Sequence, residues 1–481
     1  MCIARLQDPN PPDLMRHTLL FLIILTQVVA AEELAINSGS IEDDATAKFR
    51  QAASAKVRTT ASILHPDGTH QSFRTRTNTN TSRGFALLEA RAAARSGDTI
   101  VVGTGVYKIS SSLAKDGVNW HFLVGAVIRR TDESEGALWD DRNTRMTFSV
   151  TGDGDFTRVT TSNLIRSLVV RVRHPDSVIS IHGRDFTAIG PLAGRADASV
   201  LRLEGGRLML EGRYLRALGN RNGYALWWFN GTGVVRAALI AGDYVSVGAS
   251  VVDSPTGDFH VTAEQIETAI FSSNAQSTAA MWIRCNTLRD MLPDGGAVSI
   301  TGVGRIYIEA QKVFGFVYQT SFQGLLYLRA DKHTATIAGG NGFYSYLNVD
   351  GGETFYSVSH IDPNGIGGDS FAVTDGILHW GTGTLSGSAT TKGVSISGGT
   401  VRMSGVTLNT FANPATSPIA KGGGTLILDA GTTLVAGNNS ESISASTAQN
   451  VKVYGNAVAN RPKSDNITIQ IGTLTVDSNV E

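Results

Sequence analysis

From Gly206 onward the chain repeats one short phrase, a glycine followed by a strand-like run in which the second and fourth residues are mostly apolar. It appears as Gly206-Arg-Leu-Met-Leu210, Gly257-Asp-Phe-His-Val261, Gly304-Arg-Ile-Tyr-Ile308, Gly352-Glu-Thr-Phe-Tyr356, Gly376-Ile-Leu-His-Trp380, Gly399-Thr-Val-Arg-Met403 and Gly424-Thr-Leu-Ile-Leu428, and more briefly at Gly233-Val-Val235. Alternation of period two marks strands that bury one face. The glycines recur about every 24 residues, except that the steps from 257 to 304 and from 304 to 352 are doubled. The doubling predicts degenerate coils near residues 280 and 328. A unit of this length is a solenoid repeat, in which each coil buries the apolar face its neighbour leaves open, at roughly 25 cal/mol per Å².

Upstream, Phe85-Ala-Leu-Leu-Glu-Ala-Arg-Ala-Ala-Ala-Arg95 has Phe85, Leu88 and Ala92 at helical spacing. A Ser-Gly-Asp turn then leads into the β-branched run Thr99–Val102, a break at Gly103-Thr-Gly105 and a second run Val106-Tyr-Lys-Ile109. One short helix followed by strands alone predicts a cap on the open end of the solenoid. In Leu113–Ile128, Val118, Trp120 and Phe122 alternate with Asn119, His121 and Leu123. The charged stretches Arg130–Glu135 and Trp139–Arg142 interrupt the pattern and predict a loop leaving the stack. Strands return from Val150, through Val169–Val172 and Val178–Ile181.

The run Ala92-Ala-Ala-Arg-Ser-Gly-Asp-Thr-Ile-Val-Val-Gly-Thr-Gly-Val-Tyr107 resembles the opening of pectin-lyase-like right-handed parallel β-helix proteins, a secreted bacterial or phage-related family. Leu113–Ile128 is similar to their second coil, so the resemblance spans two consecutive coils. It implies an all-β fold, a right-handed parallel β-helix with a short N-terminal helical cap. Polysaccharide lyases, bacterial surface proteins and phage tail proteins share that opening, so the activity it implies is open. The tail around Val451-Lys-Val-Tyr-Gly455 also resembles the C-terminal ends of some phage and bacterial β-helix proteins.

The N-terminus changes the picture of location. Residues 15–31 combine a basic start (Arg16, His17), an apolar run Leu19–Leu25 and the small pair Ala30-Ala31, the three-part order of a secretory signal. Residues 1–14 hold three prolines and two aspartates and suit no signal, which makes Met15 a candidate start. The expected organisation is a leader and signal peptide over 1–31, a flexible segment over 32–83, the β-helix over 84–450 and a β-rich cap or tail over 451–481. A secreted or cell-surface location is expected, with no membrane span once the signal is removed.

The 53 glycines and 17% charged residues fit an all-β repeat protein, and a net charge of −1 removes the electrostatic case for nucleic acid. Of two cysteines, Cys2 leaves with the leader, so no internal disulfide is expected and Cys285 reads as a small buried hydrophobe.

Chemistry is sparse. Weak catalytic candidates are Asp140 and Asp141, and His182, Arg184 and Asp185 in His182-Gly-Arg-Asp185, which otherwise reads as a polar turn with a local Arg–Asp pair. Asp153-Gly-Asp155 reads as a plain turn. The aromatic cluster Tyr224-Ala-Leu-Trp-Trp-Phe229 must send at least one ring out of a strand. Trp227 and Trp228, with Arg221 and Asn230, are therefore candidate sugar contacts, the alternative being stacking inside the coil and under a loop. No metal-binding spacing, phosphate loop or nucleophile elbow is present. No cofactor is implied, Ca²⁺ entering only with a lyase.

The expected function is an extracellular protein that binds glycan or serves a structural role through its long lateral face. The alternatives are a polysaccharide lyase, less readily a hydrolase, acting on an acidic polymer, and a phage tail-spike-like protein. The expected partner is a polysaccharide or surface glycan, with homo-oligomerisation left open. Catalysis would require two or more acids and a base converging within about 5 Å on adjacent coils, where charges shift one another's pKa.

Overall fold

The computed structural model describes residues 59–476 apart from 76, 78, 135, 162–164, 191–197, 219–223, 248–256, 273–279, 290–295, 335–346, 363–370, 387–392, 411–418, 437–441, 446–450, 460–466 and 470–472. The leader, the signal and residues 32–58 lie outside these. The chain divides at Thr59 into two units, and the second, Thr60–Glu481, holds the β-helix.

The chain is a parallel β-helix whose coils pass in turn through three faces. On the first face a single inward column runs Ile100, Trp120, Val150, Ile181, Leu210, Val235 and Val261, each in register with the next. It continues through Ile283, Ile308, Leu328, Tyr356, Trp380, Met403, Leu428 and Val453, and every member is buried. Ile283 and Leu328 belong to the two coils that the doubled glycine spacing predicts. The second face buries Tyr107, Ile128, Phe156, Phe186, Leu215 and their successors in the same way. The third starts at Trp139 and runs through Val170, Leu201 and Leu226.

At three of the repeated glycines the cause is steric. Gly376, Gly399 and Gly424 lie at the corner before the first face with φ of 78°, 64° and 64°. A Cβ at Gly399 or Gly424 would fall 2.4 Å from the carbonyl oxygen of the glycine one coil earlier. Both the left-handed backbone and the close stacking exclude a side chain there.

Three expectations need correction. Residues 32–83 are not wholly a flexible segment, because Thr59–Leu64 and His70–Arg74 are strands, and Ala61 to Leu64 pair antiparallel with Val102 to Thr99. The helix begins at Asn80 and ends at Ala93, with Thr79 as N-cap accepting from the Ser82 N–H at 3.2 Å. Its packed face is Gly84, Ala86, Leu87 and Ala90, while Phe85 is 62% exposed. Arg130 and residues 139–141 do not leave the stack. Trp139–Asp140 is a strand in register with Val170 and Arg171, and Arg130, Trp139, Asp140 and Asp141 are buried. Within the cap or tail expected over 451–481, Val451–Val453 and Ala457–Ala459 pair with the preceding coil and extend the helix.

Candidate functional site

Because successive residues of a strand face opposite ways, the residue before each inward position of the first face points to solvent. In the early coils this outer column is small and polar. Asn119 accepts from the Ser149 backbone N–H and hydroxyl at 3.1 and 2.8 Å. Over the next coils the same column passes through Met209 and Val234 and then turns aromatic: His260, Trp282, Tyr307, Tyr327, Phe355 and His379 stand in register on consecutive coils. All six are half-buried. After them come Arg402 and Ile427.

The rings stack on one another along the coil axis. Trp282 and Tyr307 lie 3.8 Å apart at 5°, and Phe355 and His379 4.4 Å apart at 8°. Tyr307, Tyr327 and Phe355 are more widely spaced, at 6.4 and 6.5 Å, and tilted by 39° and 35°. Face-to-face stacking covers the π-faces and turns the ring edges to solvent. The result is a continuous apolar ridge bearing two tyrosines. Burial raises the Tyr307 hydroxyl above its usual pKa, and burial lowers that of the His260 imidazole. At the far end His379 Nε2 lies 2.9 Å from Glu353 Oε1.

At the corner between the first and second faces, next to the ridge, lies a cleft of about 510 Å³ lined by Asp153, His182, Arg184, Glu211, Arg213, Arg236, Thr262 and Glu264. The inward residues at this corner are small: Gly183, Gly212, Ala263, Cys285 and Ala330. A Cβ on Gly183 or Gly212 would meet the Phe156 or Phe186 ring at 2.5 or 2.8 Å. The thiol of Cys285 takes the same slot, is buried, and has its pKa pushed up to about 12 by that burial.

Of the expected catalytic residues, the structure brings His182 and Arg184 into this cleft. His182 Nδ1 is 3.6 Å from Glu211 Oε2 and holds the Glu211 carboxyl below its usual range. Arg184 does not pair locally with Asp185. It reaches back one coil to Asp155, which receives both its Nε and its Nη2. Asp185 stands in register with Asp155, and burial, then the Asp155 charge, raises its pKa.

Asp140 and Asp141 lie elsewhere and are fully used by the fold. Asp140 accepts from the Arg142 N–H and from Arg173, and Asp141 from the N–H groups of Asn143, Arg173 and His174 and the Ser177 hydroxyl.

The expected sugar contacts fare differently from one another. Trp228 faces inward, 1% exposed, stacked 5.3 Å from Phe259 with its indole N–H on the Gly231 carbonyl. Trp227 faces out on the third face but is 6% exposed beneath the guanidinium groups of Arg166 and Arg202. The Asn230 side chain accepts from the Gly231 N–H, and Arg221 lies outside the described residues.

The aromatic column was within reach of sequence reasoning. It is the third residue after Gly257, Gly304, Gly352 and Gly376, between the two inward positions, and Tyr327 is the third after Gly324. Trp282 has no preceding glycine to mark it.

Among the described residues no three or more His, Cys, Asp or Glu are placed to hold a metal, and no helix is long and apolar enough to cross a membrane. No protein-family model, curated protein or solved structure matches the chain.

Proposed function

We propose that this protein binds an extended extracellular polysaccharide laid along the first face, parallel to the coil axis. The observation that carries this reading is the row of six half-exposed rings on six consecutive coils. Ring stacking contributes to the stability of the helix, at about 0.5–1.5 kcal/mol per pair. Stability alone is served by the interior columns, where rings such as Trp120, Phe156 and Trp380 are at most 1% exposed. A contiguous apolar row left on the surface is the mark of an interaction site. Sugars suit it because their apolar C–H patches lose water against the hydrocarbon ridge while their hydroxyl oxygens meet the positive ring edges and polar neighbours, here Tyr307, Tyr327 and the charged residues beside them.

The test is retention of the purified chain on a panel of acidic and neutral polysaccharides. Replacing Trp282, Tyr307 and Tyr327 together by alanine is expected to lower retention at least tenfold while the far-ultraviolet circular dichroism is unchanged. Unchanged retention would refute the reading.

A lyase or hydrolase is favoured by one specific observation: Asp185 stands in register with Asp155, which holds Arg184 of the cleft, and burial and the Asp155 charge raise its pKa. Perturbed acids cluster at catalytic sites, though structural ion pairs perturb them as well. New unsaturated or reducing ends from a retained polymer, lost on Asp185→Asn, would establish it.

A further inference from the structure

The outer column on the cleft side of the ridge carries a pattern of its own. Glu211, Arg236, Thr262, Arg284, Glu309, Arg329 and Ser357 are in register on consecutive coils. The arginines fall on every second coil, and the positions between them are a threonine and a glutamate. Arg284, Glu309 and Arg329 are exposed, and Arg236 is half-buried in the cleft wall. The opposite edge of the ridge alternates too. Asp258, Arg305 and Glu353 are charged, and Ala280, Leu325 and Ile377, on the coils between and after them, are apolar. Coil length varies along this stretch, yet strand register holds the spacing between coils at about 4.8 Å, so the arginines stand about 9.6 Å apart.

Building on polysaccharide binding by the ridge, we propose that the first face recognises a linear glycan with a two-residue repeat and one anionic group per repeat. The anions meet Arg236, Arg284 and Arg329, and the uncharged residue between them lies beside Thr262 or Glu309. A carboxylate or sulfate ester gains a charge-assisted, forked hydrogen bond at each arginine. An anion on every residue would instead place like charge against Glu309, which disfavours a fully charged homopolymer. The aromatic ridge supplies contact that does not depend on charge, and the arginine column supplies the register.

The test uses the full chain and three polymers of matched length: one alternating a uronic acid with an N-acetylhexosamine, a uronic acid homopolymer and a neutral glucan. At physiological salt the alternating polymer is expected to bind at least tenfold more tightly than either of the others. The decisive variant combines Arg284→Glu with Glu309→Arg, which keeps the net charge and moves one cation by one coil. It is expected to lose about tenfold for the alternating polymer and nothing for the neutral glucan. Arg284→Ala and Arg329→Ala serve as milder controls and should each lose several-fold. An exchange variant that binds like the parent, or a parent that holds all three polymers equally, overturns the alternating register while leaving glycan binding intact. A parent that holds none of the three removes the glycan reading itself.

Discussion

A charge inside a β-helix persists only with partners that satisfy it, and Asp132 shows how closely this is met. It lies between two buried arginines, 2.6 Å from Arg130 Nε and 2.7 Å from Arg158 Nη1. Burial alone would raise its carboxyl, but the Arg130 hydrogen bond and charge, then the Arg158 charge, bring it below the usual range. Asp132→Ala would take the carboxylate from two buried guanidinium groups, which keep Ala137 and Ser134 as partners, and is expected to cost about 3 kcal/mol, read as a fall in the urea midpoint. His333 is the complementary case, a fully buried imidazole in an otherwise apolar column between Val313 and Ile361. Its Nε2 lies 2.7 Å from the Gly315 carbonyl oxygen, which can only accept, so that nitrogen carries the proton and Nδ1 accepts from the Tyr356 hydroxyl at 2.8 Å. Burial pushes its pKa down to about 4. The unfolded chain takes up the proton near pH 6.5 and the folded chain only near 4, so stability falls as pH drops through that window, by on the order of 3 kcal/mol. Urea midpoints measured from pH 7 to pH 4 should fall, and His333→Leu should flatten the profile. Cys285, in its small-residue slot, should resist thiol reagents at pH 7 until the chain is unfolded.

At the scale of the element, the helix Asn80–Ala93 depends on one close approach. A Cβ on Gly84 would lie 1.8 Å from the Lys108 carbonyl oxygen, a backbone atom with little freedom to move. Gly84→Ala should therefore lift the cap from the first coil and lower stability by about 1–3 kcal/mol, seen as earlier loss of helical ellipticity on heating. The same element shows what a single sequence conveys. Its existence was legible from helical spacing, but not its start, because Asn80 and Thr81 are poor helix formers held by the Thr79 cap. Its buried face was misread because small residues, Gly84, Ala86 and Ala90, make the contact, whereas the larger Phe85 faces solvent. The strand phrases after each glycine were legible because one interior column repeats them, down to the coils at Ile283 and Leu328. The burial of Arg130 and Asp140 was not, since charge in sequence looks alike whether it meets water or a partner brought from another coil. Trp228 illustrates the same limit: alternation separates two adjacent tryptophans onto opposite sides without saying which side is inside.

For the whole molecule, register between coils is what turns scattered residues into a surface. His260 and His379 are 119 positions apart in sequence and five coils apart along one edge-on ridge. The cleft at the corner meets the first coil of that ridge, where the strand that carries His260 also lines the cleft with Thr262 and Glu264. Whether the first face holds a polysaccharide is read most directly by co-sedimentation of the chain with insoluble and cross-linked polysaccharides, comparing the parent with the variant that replaces Trp282, Tyr307 and Tyr327 by alanine. Binding of the parent, at least tenfold weaker in a variant with unchanged circular dichroism, is the predicted result. A parent that stays in the supernatant with every polymer, or a variant that sediments as well as the parent, would contradict it.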